Sequence, residues 1–205
     1  MARLILLFGA ALLAACTRPP AAPSSRGHRL VAGEVLALRA SADGAYLAFL
    51  HGCRRLEDRT LPPGTGSCEL SLVPASGGDV VAVARGVTSL PPGFGWSGQG
   101  HALAALGEYD HARGRGALVV WSGGAPRRLA DGVTFYALAR DGSRVGYSAQ
   151  GQLFLASIDG PGAPVAGGAG VSSLEFGGRE GLALLARRAT VAGGELLAVR
   201  GQAAE

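Results

Sequence analysis

The sequence contains no lysine and few aromatic residues, and both scarcities limit what it binds. All 19 basic residues are arginine, and Phe, Trp and Tyr make up 6% of the 205 residues. The net charge is +4, and the only basic doublets are Arg54-Arg55, Arg127-Arg128 and Arg187-Arg188. Nucleic-acid-binding domains concentrate basic residues in a stripe and add aromatic rings that stack on bases. We therefore expect no nucleic-acid partner.

A composition suited to long helices is also missing. Gly contributes 34 residues and Pro 11, together 45 of 205. Average usage of the two is about 12%. Both residues disrupt helix interiors, which argues against a helical bundle or a long coiled coil. Hydrophobic residues make up 48% of the chain, which is too much for a disordered protein. The composition therefore predicts a single turn-rich, all-β domain with a buried core.

The N-terminal apolar run is too short to cross a bilayer. It extends from Leu4 to Leu13, follows Arg3 and is succeeded by small residues. This order is typical of a secretory signal, whereas a transmembrane helix needs about 20 apolar residues. The next segment, residues 17–27, is rich in Pro, Ala and Ser and predicts a short tether. The sequence therefore predicts export.

The segment Leu13-Ala14-Ala15-Cys16 resembles the lipobox of bacterial lipoproteins. The resemblance implies a signal peptide over residues 1–15, cleaved before Cys16, and acyl chains such as palmitate on that cysteine. It further implies an acylated tether over 16–27, a domain over 28–205 and attachment to the membrane through the acyl chains. Thr17 occupies the position where enterobacterial lipoproteins kept at the inner membrane have Asp. The resemblance thus implies the outer membrane, with the domain facing the periplasm.

Four segments share one turn pattern. They are Ser41-Ala42-Asp43-Gly44, Ser97-Gly98-Gln99-Gly100, Ala139-Arg140-Asp141-Gly142 and Gly178-Arg179-Glu180-Gly181, with final glycines 56, 42 and 39 positions apart. Two apolar segments follow each turn. In the first three repeats a second turn comes next, and the repeat ends in Gly86-Val87, Gly132-Val133 or Gly170-Val171. Asp-Gly and Gly-Gly form hairpin turns because Gly adopts positive φ. The pattern predicts four short strands per repeat.

This repeat resembles the TolB-type β-propeller repeat over residues 33–200. The resemblance implies a small β-propeller of about four four-stranded blades, although that family usually has six or seven. An irregular β-sandwich remains the alternative. The last repeat ends one strand short, at Val199-Arg200, and residues 28–35 resemble the strand that closes the second repeat. We expect residues 28–32 to pair with 195–200 and complete the last blade, because this removes an exposed strand edge.

Cys53 and Cys68 are the two cysteines left if Cys16 carries lipid. An exported protein enters an oxidising compartment, and the repeat places both residues at facing ends of adjacent strands. We expect a structural disulfide between them. Free thiols and a metal site are the alternatives, and a metal site would favour C-x-x-C spacing or neighbouring histidines.

No arrangement of residues in the sequence predicts catalysis or a bound cofactor. His101 begins a predicted strand and Asp110-His111 follow it, so a shared metal site is not expected. The paired carboxylates Glu57-Asp58 lie on an arginine-rich insertion, which is typical of a solvated or partner-contacting loop. Calcium-loop, P-loop, G-x-S-x-G and H-E-x-x-H motifs are absent. We assign no catalytic residues, no metal ligands and no cofactor.

Two functions are consistent with these patterns. The first is a lipid-anchored binding or scaffolding module that contacts another envelope protein. The second is a periplasmic ligand-binding or enzymatic propeller with its site at the central channel. For the first, the partner-binding residues are expected on the long mid-blade loops 51–68 and 107–116 and on the segment before Trp96, because long loops on a rigid scaffold commonly carry function. The candidates are Arg54, Arg55, Glu57, Asp58, Phe94, Tyr109, Asp110, His111, Arg113 and Arg115.

Overall fold

Every secondary-structure element in the described part of the chain is a β-strand. The computed structural model describes residues 34–91, 93–177, 183–190 and 193–199. The strands are β1 (Val35–Ala40), β2 (Tyr46–Arg55), β3 (Gly66–Pro74), β4 (Val81–Thr88), β5 (Phe94–Trp96), β6 (Leu103–Asp110), β7 (Arg115–Trp121), β8 (Arg127–Leu138), β9 (Arg144–Ala149), β10 (Gln152–Ser157), β11 (Gly162–Pro164), β12 (Val171–Gly177), β13 (Ala183–Thr190) and β14 (Gly193–Val199). The expected all-β class is confirmed. Among the described residues there is no helix with the length and apolarity needed to span a membrane.

The strands form three antiparallel sheets, with the orders β1-β2-β3-β4, β11-β10-β9-β8-β7-β6-β5 and β12-β13-β14. The long strand β8 makes the middle sheet a fusion of two repeats. Its residues 127–133 pair with β7, and its residues 133–138 pair with β9. We call β1–β4 unit 1, β5–β7 with the first half of β8 unit 2, the second half of β8 with β9–β11 unit 3, and β12–β14 unit 4.

The shared strand corrects the expectation of separate blades at this point. Pro91 and Gly93 lie between β4 and β5, where the backbone leaves one sheet for the next. Proline lacks the N–H that a strand ladder needs, so it favours a break there. No proline lies between Gly132 and Leu138, and β8 continues from one unit into the next.

The glycines that define the repeat adopt matching conformations in successive units. Gly44, Gly100 and Gly142 end the first turn with φ of 70°, 64° and 75°. In the three Gly-Val pairs, Gly86, Gly132 and Gly170 have φ of 65°, 62° and 71°. The following Val87, Val133 and Val171 are buried. The equivalence that was predicted for these positions is confirmed, because only glycine adopts this left-handed region without strain.

The core is divided into three clusters, each between consecutive units. The first lies between units 1 and 2 and includes Leu70 and Leu103. The second lies between units 2 and 3 and includes Leu106 and Leu118. The third lies between units 3 and 4 and includes Leu184. Units 2 and 3 are therefore covered on both faces, unlike the single layer between two sheets that defines a sandwich.

A closed four-bladed ring is not confirmed. No described sheet closes on itself, and unit 4 consists of three described strands. The expected pairing of residues 28–32 with 195–200 lies outside the described residues, because 28–32 are not among them. The predicted signal peptide, Cys16, the predicted tether and the predicted fourth turn at 178–181 also lie outside the described residues.

Candidate binding surface

The antiparallel order places the connections at two opposite ends of the sheets. At one end are the segments between the second and third strands of units 1 and 2, residues 56–65 and 111–114. We call this end the loop end and include in it the flanking strand residues Arg54, Arg55, Tyr109, Asp110 and Arg115. At the other end are the turns between the first and second strands, residues 41–45, 97–102 and 139–143, which we call the turn end. Long connections on rigid strands commonly carry recognition residues. The loop end holds the longest described connection and most of the residues predicted to bind a partner.

A disulfide braces the base of the 56–65 segment. Cys53 on β2 and Cys68 on β3 are bonded, with their Cα atoms 4.0 Å apart. The expected structural disulfide is thus confirmed. Ser89, which follows β4, reinforces the same region: its N–H donates to the carbonyl of Gly66, and its hydroxyl accepts from the Gly66 N–H. The ends of the segment are therefore fixed by a covalent bond and by a neighbouring chain segment.

The 56–65 segment is internally ordered around a cavity of about 430 Å³. Asp58 accepts hydrogen bonds from the hydroxyl and the backbone N–H of Thr60, at 2.6 and 2.8 Å. These bonds lower the pKa of Asp58, with the Thr60 hydroxyl contributing most. Arg55, Glu57 and Arg59 also line the cavity and are exposed. The segment thus presents charged side chains on a backbone held by its own hydrogen bonds.

Both predicted loops are shorter than expected. β2 continues to Arg55 and β6 to Asp110, so Arg54, Arg55, Tyr109 and Asp110 are strand residues, and Arg115 begins β7. The strands continue because each contains an irregularity, between His51 and Arg54 in one pair and between Gly107 and Asp110 in the other. Such bulges insert residues without ending the strand. The turn 111–114 is therefore tight rather than a long loop.

The short turn in unit 2 is held by local contacts. Asp110 accepts from the backbone N–H of Arg113 at 3.1 Å and forms an ion pair with its guanidinium at 3.4 Å. The rings of Tyr109 and His111 meet edge to face, with centroids 4.9 Å apart. The Nε2 atom of His111 is buried and has no hydrogen-bond partner among the described residues. Tyr109 and His111 are half-buried, while Arg113 is exposed.

Phe94 is not on the binding surface, which corrects its selection as a partner-binding candidate. It is the first residue of β5 and is 5% exposed, packed in the cluster between units 1 and 2. The guanidinium of Arg39 lies 5.2 Å from the ring centroid. Its neighbours Pro91 and Gly93 suggested an exposed segment, but the pairing of β5 with β6 turns the ring inward.

The loop end carries an excess of unpaired positive charge. Its exposed arginines on and beside the 56–65 segment and at the start of β7 form no ion pair with any described residue; they are Arg54, Arg55, Arg59 and Arg115. Glu57 and Asp58 are the nearby carboxylates on the segment. Exposed guanidinium groups without ion pairs are suited to binding carboxylates of another molecule.

A carboxylate–histidine pair that the sequence does not predict lies at the turn end. Asp43 and His101 are 58 residues apart in the chain, yet Asp43 Oδ2 and His101 Nδ1 are 2.7 Å apart. The backbone N–H of Asp43 also donates to the carbonyl of Gly100. The His101 ring lies among Tyr46 and Trp121, at centroid distances of 5.1 and 5.7 Å. The sequence places Asp43 in one of the repeated turns, but the turn pattern does not indicate its partner.

Because of the Asp43–His101 pair, part of the free energy of unfolding is expected to depend on pH under acidic conditions. Hydrogen bonds from the Ser41 hydroxyl, the Ala45 N–H and His101 lower the pKa of Asp43 to about 2, from an ordinary 3.8. Because the folded-state pKa is the lower one, ionised Asp43 stabilises the fold fully above pH 4. This stabilisation is lost as the pH falls from about 4 towards about 2. Urea unfolding of wild type and Asp43→Asn should therefore converge over this range, and a constant difference would contradict the assignment.

Neither of two further polar clusters forms a catalytic or metal centre. His51 Nε2 and the Ser71 hydroxyl are 2.8 Å apart, but Ser71 is 3% exposed, so an external substrate does not reach the hydroxyl. His101 and His111 lie at opposite ends of β6. Across the described ranges, no three His, Cys, Asp or Glu side chains are grouped to hold a metal ion.

The fold and the loop end define an all-β repeat protein with a surface that is braced by a disulfide and rich in exposed arginine. No family model and no curated protein matches the chain. Among solved structures, it is similar to one described as "putative TolB from Agrobacterium tumefaciens", with 17% identity and a TM-score of 0.49. The likeness covers 84% of this chain and 60% of the other, so the chain spans about three fifths of that protein's length. A likeness at this level carries no conclusion about function.

Proposed function

We propose that the protein is a lipid-anchored binding module of the bacterial envelope, which holds another envelope protein against its loop end. One observation carries the binding role: exposed arginines without ion pairs lie on and beside a segment tied by the Cys53–Cys68 disulfide. Arginine is enriched in the energetically important parts of protein interfaces. A segment that is ordered before binding loses less conformational entropy when the partner docks.

The charge of this surface favours one kind of partner. Arg54, Arg55, Arg59 and Arg115 outnumber the nearby Glu57 and Asp58, so the proposed partner presents an acidic surface. Exposed charges mainly raise association rates and are screened by salt over about 10 Å at 0.1 M. Binding through this surface is therefore expected to weaken as ionic strength rises.

The anchor in this proposal depends on the lipobox resemblance at Leu13–Cys16. Acylation of Cys16 would hold the domain at the outer membrane facing the periplasm, so an envelope partner is available to it. Multiple acyl chains give stable attachment, since each buried CH₂ contributes about 0.8 kcal/mol.

The alternative of a ligand site in a central channel has less support. Such a channel requires a ring in which the last unit packs against the first, and none of the three core clusters joins unit 4 to unit 1 among the described residues. Polar side chains on the first strands of units 1 to 3 already form hydrogen bonds to backbone carbonyls within the protein. Trp96 Nε1 donates to the Arg39 carbonyl, the Tyr136 hydroxyl donates to the Ala104 carbonyl, and Arg39 donates to the Phe94 carbonyl.

The anchor and the partner are tested together in envelopes from cells that express the tagged full chain. Wild type should be processed, enter the detergent phase and retain one acidic protein in stoichiometric amount, which elutes as salt is raised. Cys16→Ser should accumulate as a precursor that keeps its signal segment. A processed, detergent-phase Cys16→Ser protein would contradict the anchor, and capture of no stoichiometric protein would contradict the binding role.

A further inference from the structure

A cleft between units 1 and 2, distinct from the loop end, has the form of a docking site for an extended peptide. Its volume is about 310 Å³, and residues of β4, β6, β7 and β8 line it. Four consecutive residues of β4, from Ala82 to Arg85, are among them. Alternate residues of a strand point to opposite faces, so a run of consecutive residues shows that the cleft follows the edge of β4.

This edge of β4 has no partner strand in the described chain. β4 pairs with β3 on one side only and is the last strand of its sheet. An unpaired strand edge presents backbone N–H and C=O groups in the spacing that another strand requires. Extended peptides bind such edges by adding a strand to the sheet.

The opposite wall of the cleft is the face of unit 2. It is built from small or apolar residues, Gly107, Ala117, Val119 and Pro126. A strand that paired with β4 would direct alternate side chains onto this wall. Gly107 is in close contact with β4, since a Cβ there would lie 3.1 Å from the Arg85 carbonyl oxygen. The room for branched apolar side chains therefore lies over the half-buried Val119 and Pro126. The exposed Val80 extends the apolar surface at the start of β4.

The charges at the rim select the occupant. Arg128 is paired with Glu108 at 2.9 Å and with Asp131 at 2.5 Å, and these carboxylates, Asp131 first, raise its pKa. Arg85 is exposed and forms no ion pair with the described residues. The rim thus has one uncompensated guanidinium. A second copy of β4 would place another arginine beside Arg85, and the two positive charges would repel. A carboxylate on an incoming strand would instead form an ion pair with Arg85.

We infer that this cleft binds an extended segment of another protein, in which apolar residues alternate and one carboxylate lies opposite Arg85. The segment adds a fifth strand to unit 1 at the edge of β4, and its apolar side chains cover Val119 and Pro126. The inference does not depend on the loop end, since no residue of that surface lines the cleft.

A displayed library of random seven-residue peptides, selected on the purified full chain, tests this inference. Enriched peptides should alternate apolar residues and contain Asp or Glu. Ala82→Trp, an exposed position that lines the cleft, should weaken their binding at least about tenfold by filling it. Arg85→Glu should weaken acidic peptides by about tenfold and favour basic ones instead.

Two controls separate this site from the loop end and from misfolding. Ala112→Trp, exposed at the loop end, and the combined Arg55→Ala and Arg113→Ala variant should leave peptide binding unchanged. Each variant must retain the wild-type thermal transition. The inference is overturned if no peptide is enriched, if Ala82→Trp binds the enriched peptides as wild type does, or if they lack an acidic residue. Loss of binding in the loop-end variants would also overturn it.

Discussion

Leu103→Ala and Leu106→Ala are each expected to lower the free energy of unfolding by about 3 kcal/mol, although they lie on opposite faces of one strand. Both leucines are on β6 and are fully buried. Leu103 packs in the cluster between units 1 and 2, and Leu106 in the cluster between units 2 and 3. Removing either side chain leaves a cavity as well as losing buried apolar area. Urea unfolding of the two variants measures both effects.

The comparison of the two leucines tests whether unit 2 is enclosed by its neighbours. A sheet that faces water on one side would lose stability with only one of the two substitutions. Leu196→Ala is the matched control, because Leu196 on β14 is 68% exposed and its truncation should change stability by less than about 0.5 kcal/mol. Near-wild-type stability of either Leu103→Ala or Leu106→Ala would contradict the stacking of the units.

Replacing both Cys53 and Cys68 by Ala is expected to cost about 3 kcal/mol of stability. The bond closes a loop between positions 15 residues apart, and it restricts the unfolded chain more than the folded one. Reduced wild type should unfold at the same urea concentration as the double variant, and oxidised wild type at a higher one. Equal midpoints for all three would contradict a stabilising role for the disulfide.

The same double variant should also bind its partner more weakly. Without the bond, the ends of the 56–65 segment are held only by hydrogen bonds such as those from Ser89. Ordering the segment then adds to the free-energy cost of binding. Binding should be measured at a temperature where the variant is fully folded. Weaker binding there does not result from the loss of stability.

Local chemistry made much of the fold predictable from the sequence. Gly86-Val87 and its equivalents were recognisable because a positive φ is a property of one residue and its neighbours. The facing positions of Cys53 and Cys68 followed from strand alternation within one hairpin. The continuity of β8 was not predictable, because it depends on pairing with both β7 and β9.

The positions of the candidate residues were less predictable, because they depend on strand pairing and on contacts between units. Phe94 carries no signal of its inward direction, which the pairing of β5 with β6 sets. The Asp43–His101 pair joins two units, and neither residue is unusual where it stands in its own turn. The ends of β2 and β6 were placed too early because bulges at Gly52 and Glu108, both at positive φ, carry the strands onward.

The central claim is that the partner binds at the loop end, and paired capture experiments test it most directly. One variant combines Arg55→Ala, Glu57→Ala and Arg113→Ala at the loop end. The control combines Asp79→Ala, Gln99→Ala and Arg140→Ala at the opposite end. All six residues are exposed. Both variants are compared at equal amounts of folded, membrane-anchored protein. The loop-end variant should lose at least about nine tenths of the captured partner, a tenfold change in affinity, whereas the control should retain it. Loss of the partner in the control, with capture by the loop-end variant unchanged, would contradict the account.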